Sequence, residues 1–309
     1  MYALPQELAG RAFTASAAAA HDVSRDRLTR SDVVALGSGV HAPRAFAERL
    51  DDVALLRAKA AALIAERPDA WVSHVSAARL HGLWLPPALR DDSRLHLSRP
   101  AGPDTWTRRR GVCGHRMQVR DGDLVSVGGV PASSPARAWL DVAGRCGEHQ
   151  LIIMGDQLIR TPYLRYEGRS TPFATVPGLR EMLDDARGAP GRRRCLAALE
   201  RMRIGADSVQ ETRLRLALVD AGLPEPALQV PAVPGDRFSP RADLGYPELK
   251  IAIQYEGEMH FDPEQQRADQ RRDNVFHGEG WTVLRVNVED HRDGFAAIVA
   301  QVAALLAAR

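Results

Sequence analysis

Four polar residues in the segment 243–260 have side chains that could hold a divalent cation and hydrolyse a phosphate ester: Asp243, Gln254, Glu256 and His260. Carboxylate and amide oxygens suit a hard cation such as Mg²⁺. A bound cation neutralises phosphate charge and lowers the pKa of an attacking water. Asp243 and Glu256 are then the metal ligands and Gln254 completes the site. His260 is the candidate for proton transfer, because imidazole titrates near neutral pH; its alternative is a structural hydrogen bond at a turn.

The spacing of apolar residues predicts a hairpin that gathers these side chains. Apolar side chains recur at every second position from Ile251 to Tyr255, and Gln254 and Glu256 fall on the opposite face. A turn at Pro247-Glu248 returns the chain so that Asp243 can reach the same place. We expect the strand face that carries Gln254 and Glu256 not to pack into the core.

A fifth acidic candidate, Glu211, lies on a predicted helix from Ser208 to Ala221, closed by Gly222. It shares a face with Leu214 and Leu218, the stripe that should pack inward. A buried carboxylate is costly unless it is paired or binds a cation, so Glu211 joins the predicted site. The alternative is that Glu211 lies at the solvent edge of the stripe.

Composition limits the class of protein. The chain has 309 residues, 45% of them hydrophobic, so two or three domains are expected. Its net charge of +2 is too small to indicate a nucleic-acid partner by itself. Cys113, Cys146 and Cys195 form no CxxC pair, which argues against disulfides and a structural zinc site. No signal peptide and no membrane-spanning run is visible, which predicts a cytoplasmic protein without a membrane partner.

The N-terminal block, residues 1–45, predicts a DNA-binding element. Two short helices, capped by Thr14 and Ser24, precede a hairpin, and this is the order of a winged helix-turn-helix. The second helix carries the candidate DNA contacts Arg25, Arg27 and Arg30. The alternative is a small helical cap with no nucleic-acid role, since Asp22, Asp26 and Asp32 dilute the positive charge.

The rest of the chain divides at a segment rich in Pro, Gly and Arg. We expect a middle α+β region over 46–160, a boundary region over 161–206 and a C-terminal domain over 207–309. The C-terminal order of helix, strands, helix, strand and helix predicts an α/β sandwich. Four histidines of the middle region, His74, His81, His96 and His115, fit no compact ligand spacing. Structural histidines are therefore the favoured interpretation and a metal site the minor one.

Residues of the C-terminal domain carry a family resemblance. The segments Arg241-Ala242-Asp243 and Ile253–Gly257, with His260 and the strand ending at Val286, resemble the Vsr-like branch of the PD-(D/E)XK nuclease superfamily. The resemblance covers roughly 205–306. It implies a restriction-endonuclease-like mixed sheet flanked by helices and cleavage of DNA with Mg²⁺ (or Mn²⁺).

The resemblance also assigns roles residue by residue. It implies metal binding by Asp243 and Gln254, and it places Glu256 where relatives have Lys or Asp. Glu211 matches the acid of the upstream helix, and His260 matches the His after the glycine turn. Gln254 departs from the usual Glu and removes one negative charge, which makes a degenerate, binding-only domain an alternative. Arg272 and Arg285 are candidate phosphate contacts, with structural ion pairs as their alternative.

A second, looser resemblance covers the N-terminal two-thirds of the chain. The winged-helix order, the stretch 73–82 and the stretch 133–141 resemble AbiEi-type antitoxins and transcriptional regulators. This implies DNA binding and autoregulation in a toxin–antitoxin or phage-defence setting, with a cognate toxin as a partner. The expected fold is therefore α/β (α+β overall), and the expected function is a DNA endonuclease or nicking enzyme with a DNA-binding region, or a non-catalytic regulator on the same scaffold.

Overall fold

Helices and strands mix before Pro135 and after Asp220, with helices but no strand in between, which gives the mixed α+β class expected from the sequence. The structure is a computed structural model that describes residues 3–102, 109–256 and 263–308, with the backbone alone for 263–269. His260, a predicted catalytic residue, lies outside the described residues. No helix in the described part of the chain has the length and apolar character needed to cross a membrane.

The strands are short and fall into three sheets. Their bounds are β1 (Phe13–Thr14), β2 (Val33–Gly37), β3 (Val40–Pro43), β4 (Trp71–Val72), β5 (Leu95–Pro100), β6 (Val112–Met117), β7 (Leu124–Val127), β8 (Val130–Ser133), β9 (Ala227–Pro231), β10 (Arg241–Tyr246), β11 (Ile251–Tyr255) and β12 (Thr282–Val286). The sheet orders are β1-β3-β2, β6-β5-β4-β8-β7 and β12-β11-β10-β9.

The helices range from one turn to about four turns. Their bounds are α1 (Gln6–Ala9), α2 (Ala15–Ala19), α3 (Arg25–Leu28), α4 (Arg44–Ala47), α5 (Asp52–Ala65), α6 (His74–Leu80), α7 (Pro87–Arg90), α8 (Pro135–Val142), α9 (Glu148–Ile159), α10 (Leu164–Glu167), α11 (Val176–Asp185), α12 (Arg192–Arg201), α13 (Val209–Asp220), α14 (Pro263–Gly278), α15 (Val288–Arg292) and α16 (Ala296–Ala307). Short 3₁₀ turns occur at Ala143–Arg145 and Pro247–Leu249.

Helix starts follow the capping residues read from the sequence. The side chains of Thr14, Ser24 and Ser208 each accept a hydrogen bond from the backbone N–H three residues on, and so begin α2, α3 and α13. Ser134 caps α8 in the same way, with Pro135 at the first helical position, where its missing N–H costs nothing. The predicted helix starts at Thr14, Ser24 and Ser208 are confirmed.

The chain forms two compact units that are discontinuous in sequence. The first unit contains the described residues up to Gln150 together with Pro177–Leu196. The second contains Leu151–Val176 and the described residues from Ala197 onward. The predicted boundary region 161–206 is thus divided between the two units.

The first unit contains two sheets. In the small one, β3 pairs antiparallel with both β1 and β2, and Leu8, Phe13, Ala18, Leu28 and Val33 form a buried cluster. In the larger one, β5 pairs parallel with β6 and antiparallel with β4. The parallel pair places residues from distant parts of the middle region side by side.

The second unit is built on a mixed sheet in which β11 is central. It pairs antiparallel with β10 and parallel with β12. The predicted hairpin is confirmed. Gly245 allows its close approach, because a Cβ there would lie 2.5 Å from the carbonyl oxygen of Ile251.

Helices cover both faces of this sheet, which corrects the expectation for β11. Ile251 and Ile253 pack with residues of α13 and α16, as the apolar face should. Ala252, on the opposite face, packs with Phe276 of α14 and with Trp281. The face that carries Gln254 is therefore buried, because a strand between two neighbours in a sheet covered on both sides is shielded from water throughout.

Candidate metal centre

Asp243 lies where β10 and β11 part. Its Oδ2 accepts a hydrogen bond from the backbone N–H of Tyr255, the last residue of β11, at 2.7 Å. A side-chain carboxylate thus takes the place of a backbone acceptor at the end of the strand pair. Burial raises the pKa of Asp243, while the Tyr255 N–H and the positive charge of Arg272 oppose that rise.

Glu211 is brought beside Asp243 by the first turn of α13. It is only 6% exposed. Burial, and next the negative charge of Asp243, raise the pKa of Glu211 to about 7. Two carboxylates whose proton affinities are raised in this way form a place where a proton or a cation is favoured. The structure therefore brings together two of the predicted acids, from a helix and a strand.

Glu211 also has a structural task at the start of the helix. Its Oε2 accepts a hydrogen bond from the backbone N–H of Asp207 at 2.9 Å, while its own N–H donates to Ser208 Oγ at 3.1 Å. This is close to the reciprocal bonding of a capping box, which Ser and Glu at this spacing favour. Helix capping alone would explain a Glu here, but it does not explain the second carboxylate beside it.

Gln254 follows Ile253 on β11, and the β10 partner of Ile253 is Leu244, the residue after Asp243. It is 2% exposed, and its Nε2 has no hydrogen-bond partner among the described residues. Buried amides are nearly always hydrogen-bonded. Among the described residues, this buried donor is left unsatisfied by the packing around it.

The Glu256 carboxylate forms an ion pair with the guanidinium of Arg285. Its Oε1 lies 3.0 Å from Nη1 of Arg285, and its backbone N–H donates to the carbonyl of Val286 at 2.7 Å. Arg285 also pairs with Asp273. Within the described ranges, Glu256 does not form with Glu211 and Asp243 a set of three ligand atoms within 4.8 Å of one another.

Two residues near this site were not identified from the sequence. The negative charge of Asp207 contributes to the raised pKa of both Glu211 and Asp243. The Tyr163 hydroxyl donates a hydrogen bond to Asp207, and this bond raises the pKa of Tyr163 to about 12. Asp207 directly precedes the helix cap, where the helix dipole favours acids, so its position in the sequence could have identified it. Nothing in the local sequence around Tyr163 indicates that it lies near this site.

The predicted arginine contacts differ in how they are held. Arg25 and Arg30, on and just after the four-residue α3, are exposed. Arg27 is engaged by Asp32 in two hydrogen bonds of 2.9 and 2.6 Å. Arg285 is about half exposed while it bridges Glu256 and Asp273. Arg25, Arg30 and Arg285 thus present guanidinium groups at the surface.

The donor set fits a hard divalent cation. Glu211 and Asp243 offer carboxylate oxygens, the Gln254 amide lies on the strand next to that of Asp243, and burial makes a bound cation a favourable neighbour for the two acids. Asp207 adds further negative charge. The set is smaller than the five predicted residues, because Glu256 is paired with Arg285 and His260 falls outside the described residues.

Comparison with known proteins gives relatives without an established role. No protein family model matches the chain. Two proteins of Mycobacterium tuberculosis, the uncharacterized proteins MT2308 of strain CDC 1551 / Oshkosh and Rv2248 of strain H37Rv, are each 32% identical to it over 117 residues. The match covers 37% of this chain and 43% of each relative. The chain therefore spans less than half the length of the curated relatives it matches.

Proposed function

We propose that the second unit is a DNA endonuclease or nicking domain of the Vsr-like PD-(D/E)XK type that uses Mg²⁺ or Mn²⁺. The observation that carries this proposal is the pair of neighbouring carboxylates, Glu211 and Asp243, with the pKa of Glu211 raised to about 7. A mixed sheet with helices on both faces, and the central hairpin of β10 and β11, supports the nuclease-like fold.

Each residue of the site has a role in this chemistry. Glu211 and Asp243 would hold the cation, which when bound supplies charge neutralisation at the phosphate and an acidified water. The buried Gln254 amide orients a water or a phosphate oxygen, since its Nε2 has no acceptor among the described residues. Arg285 binds the phosphate backbone from the adjacent strand, with Glu256 and Asp273 fixing its guanidinium.

A DNA-binding role for the N-terminal residues completes the proposal. The order α2, α3, β2 and β3 supports a winged helix-turn-helix, and exposed Arg25 and Arg30 supply positive charge beside α3. Such an element would deliver the nuclease domain to DNA. A setting in phage defence or in a toxin–antitoxin pair, with a cognate toxin as partner, follows from the AbiEi-like resemblance.

Cleavage of supercoiled plasmid in Mg²⁺ or Mn²⁺ tests the activity. The wild-type protein should nick or linearise the plasmid, and Asp243→Ala and Glu211→Gln should reduce cleavage to background. Glu279→Gln, an exposed acid of the same unit, is the matched control and should cleave normally. Cleavage that survives in both Asp243→Ala and Glu211→Gln would show that these acids are not the catalytic ones.

The alternative is a non-catalytic DNA-binding regulator that keeps the nuclease fold as a scaffold. Two observations favour it: Gln254 removes one negative charge, and Glu256 is paired with Arg285. In that case the wild type leaves plasmid intact in either metal. The cation site would then have no catalytic consequence.

DNA binding separates the two functions. Duplex affinity should fall as salt rises, and the double change Arg25→Ala, Arg30→Ala should reduce the slope of log affinity against log salt by about 2. Arg27→Ala is the comparison, because Arg27 is engaged by Asp32 and should leave the slope nearly unchanged. Salt-sensitive binding without cleavage supports the regulator, and binding with cleavage supports the nuclease.

A further inference from the structure

Three histidines of the first unit lie together although they are far apart in sequence. His74 is the first residue of α6, His96 lies on β5 and His115 lies on β6. In the parallel pairing of β5 with β6, His96 is opposite Cys113 and Ser98 is opposite His115. His96 and His115 therefore point to the same face of the sheet, two positions apart. His81 is elsewhere, with its Nε2 2.8 Å from the carbonyl oxygen of Ser133.

The distances are those of a metal-ligand set. One ring nitrogen from each of His74, His96 and His115 lies within 4.8 Å of the other two. His96 Nδ1 is 3.0 Å from His115 Nε2. Two imidazole nitrogens bound to one tetrahedral zinc at about 2.0–2.1 Å lie about 3.3 Å apart. The His74 and His115 rings are stacked with centroids 3.6 Å apart and an interplanar angle of 15°, so binding one ion requires the His74 ring to turn out of this stack.

Neighbouring groups fix the orientation of two of the rings. Asp92 Oδ2 is 3.3 Å from His96 Nε2, so the proton of His96 is held on Nε2 and the lone pair of Nδ1 faces His115. Asp92 is itself anchored by Arg94 and Arg145, whose hydrogen bonds hold its pKa well below the usual range. Ser73 Oγ is 3.0 Å from His74 Nδ1, which leaves Nε2 for a ligand bond. A carboxylate behind a histidine is the usual outer shell of a zinc site.

The charge state suits a metal rather than a proton. Burial and the neighbouring histidines lower the pKa of His74 to about 2 and that of His115 to about 4. Burial also lowers the pKa of His96. These shifts favour neutral imidazole, which is the form that binds a transition metal.

His74, one of the three clustered histidines, also has a strained backbone conformation. His74 has φ +51°, in the left-handed region that non-glycine residues seldom adopt. Such strain persists where surrounding contacts over-determine the conformation, and it clusters at functional sites. Here the His74 N–H donates to buried Asp141 at 3.3 Å, so the helix start is held in the position that presents this imidazole.

We propose that His74, His96 and His115 bind one zinc ion, with solvent as the fourth ligand. The histidine chemistry selects zinc or a similar transition metal over Mg²⁺, which prefers oxygen. His74 and His115 are partly exposed while His96 is buried, so an ion can enter from the side of those two rings. A site with three protein ligands and water is an open site, in contrast to the closed four-ligand sites of structural zinc.

Zinc titration of chelator-treated, full-length protein tests the site directly. Competition with a chromophoric chelator should give one zinc per chain for the wild type. His96→Gln and His115→Gln should each weaken binding at least tenfold, and Asp92→Asn, which alters a positioning residue, should weaken it roughly 10–100-fold. His21→Gln, a histidine of the same unit outside the group, should bind like the wild type.

Two further measurements keep the outcome decisive. Asp243→Asn should retain the zinc, which separates this site from the acidic pair of the second unit. Zinc should raise the unfolding midpoint of the wild type but not that of His96→Gln, with circular dichroism showing that each metal-free variant is folded. The proposal is overturned if the wild type takes up no stoichiometric zinc or if the double change His96→Gln, His115→Gln binds normally. A thiolate charge-transfer band with Co²⁺ that is lost in Cys113→Ser would likewise overturn the three-histidine set.

Discussion

The Oδ2 of Asp243 accepts the backbone N–H of Tyr255 at 2.7 Å, at the point where β10 and β11 separate. This bond holds a carboxylate at the end of the strand pair, between two largely apolar clusters on the two faces of the sheet. It also fixes Asp243 relative to Glu211 on α13, because both acids lie against the same end of the sheet. The pKa of Glu211, raised to about 7 by burial and by Asp243, follows from this arrangement.

Glu211→Gln should stabilise the metal-free protein at pH 8. A carboxylate whose folded pKa lies above its unfolded value contributes stability below the unfolded pKa, and that contribution is lost as pH rises through about 7. Gln removes the charge and keeps an acceptor for the Asp207 N–H, so the helix cap is preserved. We expect the free energy of unfolding to rise by up to roughly 3 kcal/mol at pH 8, because the pKa of Glu211 is about 2.5 higher in the folded than in the unfolded protein. At pH 4 the free energy of unfolding should change little.

Denaturant unfolding in EDTA and in Mn²⁺ measures this effect. Mn²⁺ should raise the stability of the wild type and leave Glu211→Gln nearly unchanged, because a ligand stabilises only the state that binds it. Glu279→Gln is the matched control and should respond as the wild type does. Equal stabilisation of wild type and Glu211→Gln by Mn²⁺ would contradict a role for Glu211 as a cation ligand.

Local patterns predicted most of the elements of the second unit. Ser208 as the cap of α13 and the alternation in β11 were readable because capping and strand period depend on neighbours in sequence. The helix that covers the sheet face of Gln254 could not be predicted from the sequence. This coverage depends on α14 packing there, through Phe276, after β12 has joined the sheet in parallel.

The group of His74, His96 and His115 also depends on contacts between elements that are distant in sequence, which local patterns do not predict. His96 and His115 meet only because β5 and β6 pair in parallel, and His74 joins them from the start of α6. No fixed sequence spacing encodes a meeting of three elements, and these histidines accordingly match no compact ligand pattern in the sequence. Asp207 could have been found, since acids are favoured at a helix start; Tyr163 could not.

Cys113 should be the thiol that reacts in the native protein. Cys146 and Cys195 are buried, and burial raises the pKa of Cys146 to about 11 and that of Cys195 to about 12. Both stay protonated at pH 8, and the thiolate is the reactive form. A disulfide-exchange reagent should therefore titrate one thiol per chain rapidly in native protein and three after denaturation. Two rapid thiols at pH 8, or one that persists in Cys113→Ser, would contradict this.

Asp156→Ala should be among the most destabilising single changes in the second unit. Asp156 and Arg215 are each 1% exposed and lie 2.9 Å apart. Asp156 also accepts hydrogen bonds from Thr212 Oγ1 at 2.9 Å and from the N–H of Arg203 at 2.8 Å. Among the described residues, removing the carboxylate leaves the buried guanidinium with Glu225 as its remaining ion-pair partner, which should cost roughly 3–5 kcal/mol.

The exposed pair of Arg201 with Asp220 provides the matched comparison for this buried pair. Both partners of that pair are in contact with solvent, so the attraction is screened and Asp220→Ala should cost about 1 kcal/mol or less. Urea unfolding of the two variants at one pH compares the costs directly. A similar loss of unfolding free energy in both would mean that burial does not set the energetics of Asp156. The expected difference of several kcal/mol would instead show that either partner of the buried pair between α9 and α13 is costly without the other, because its charge is then uncompensated.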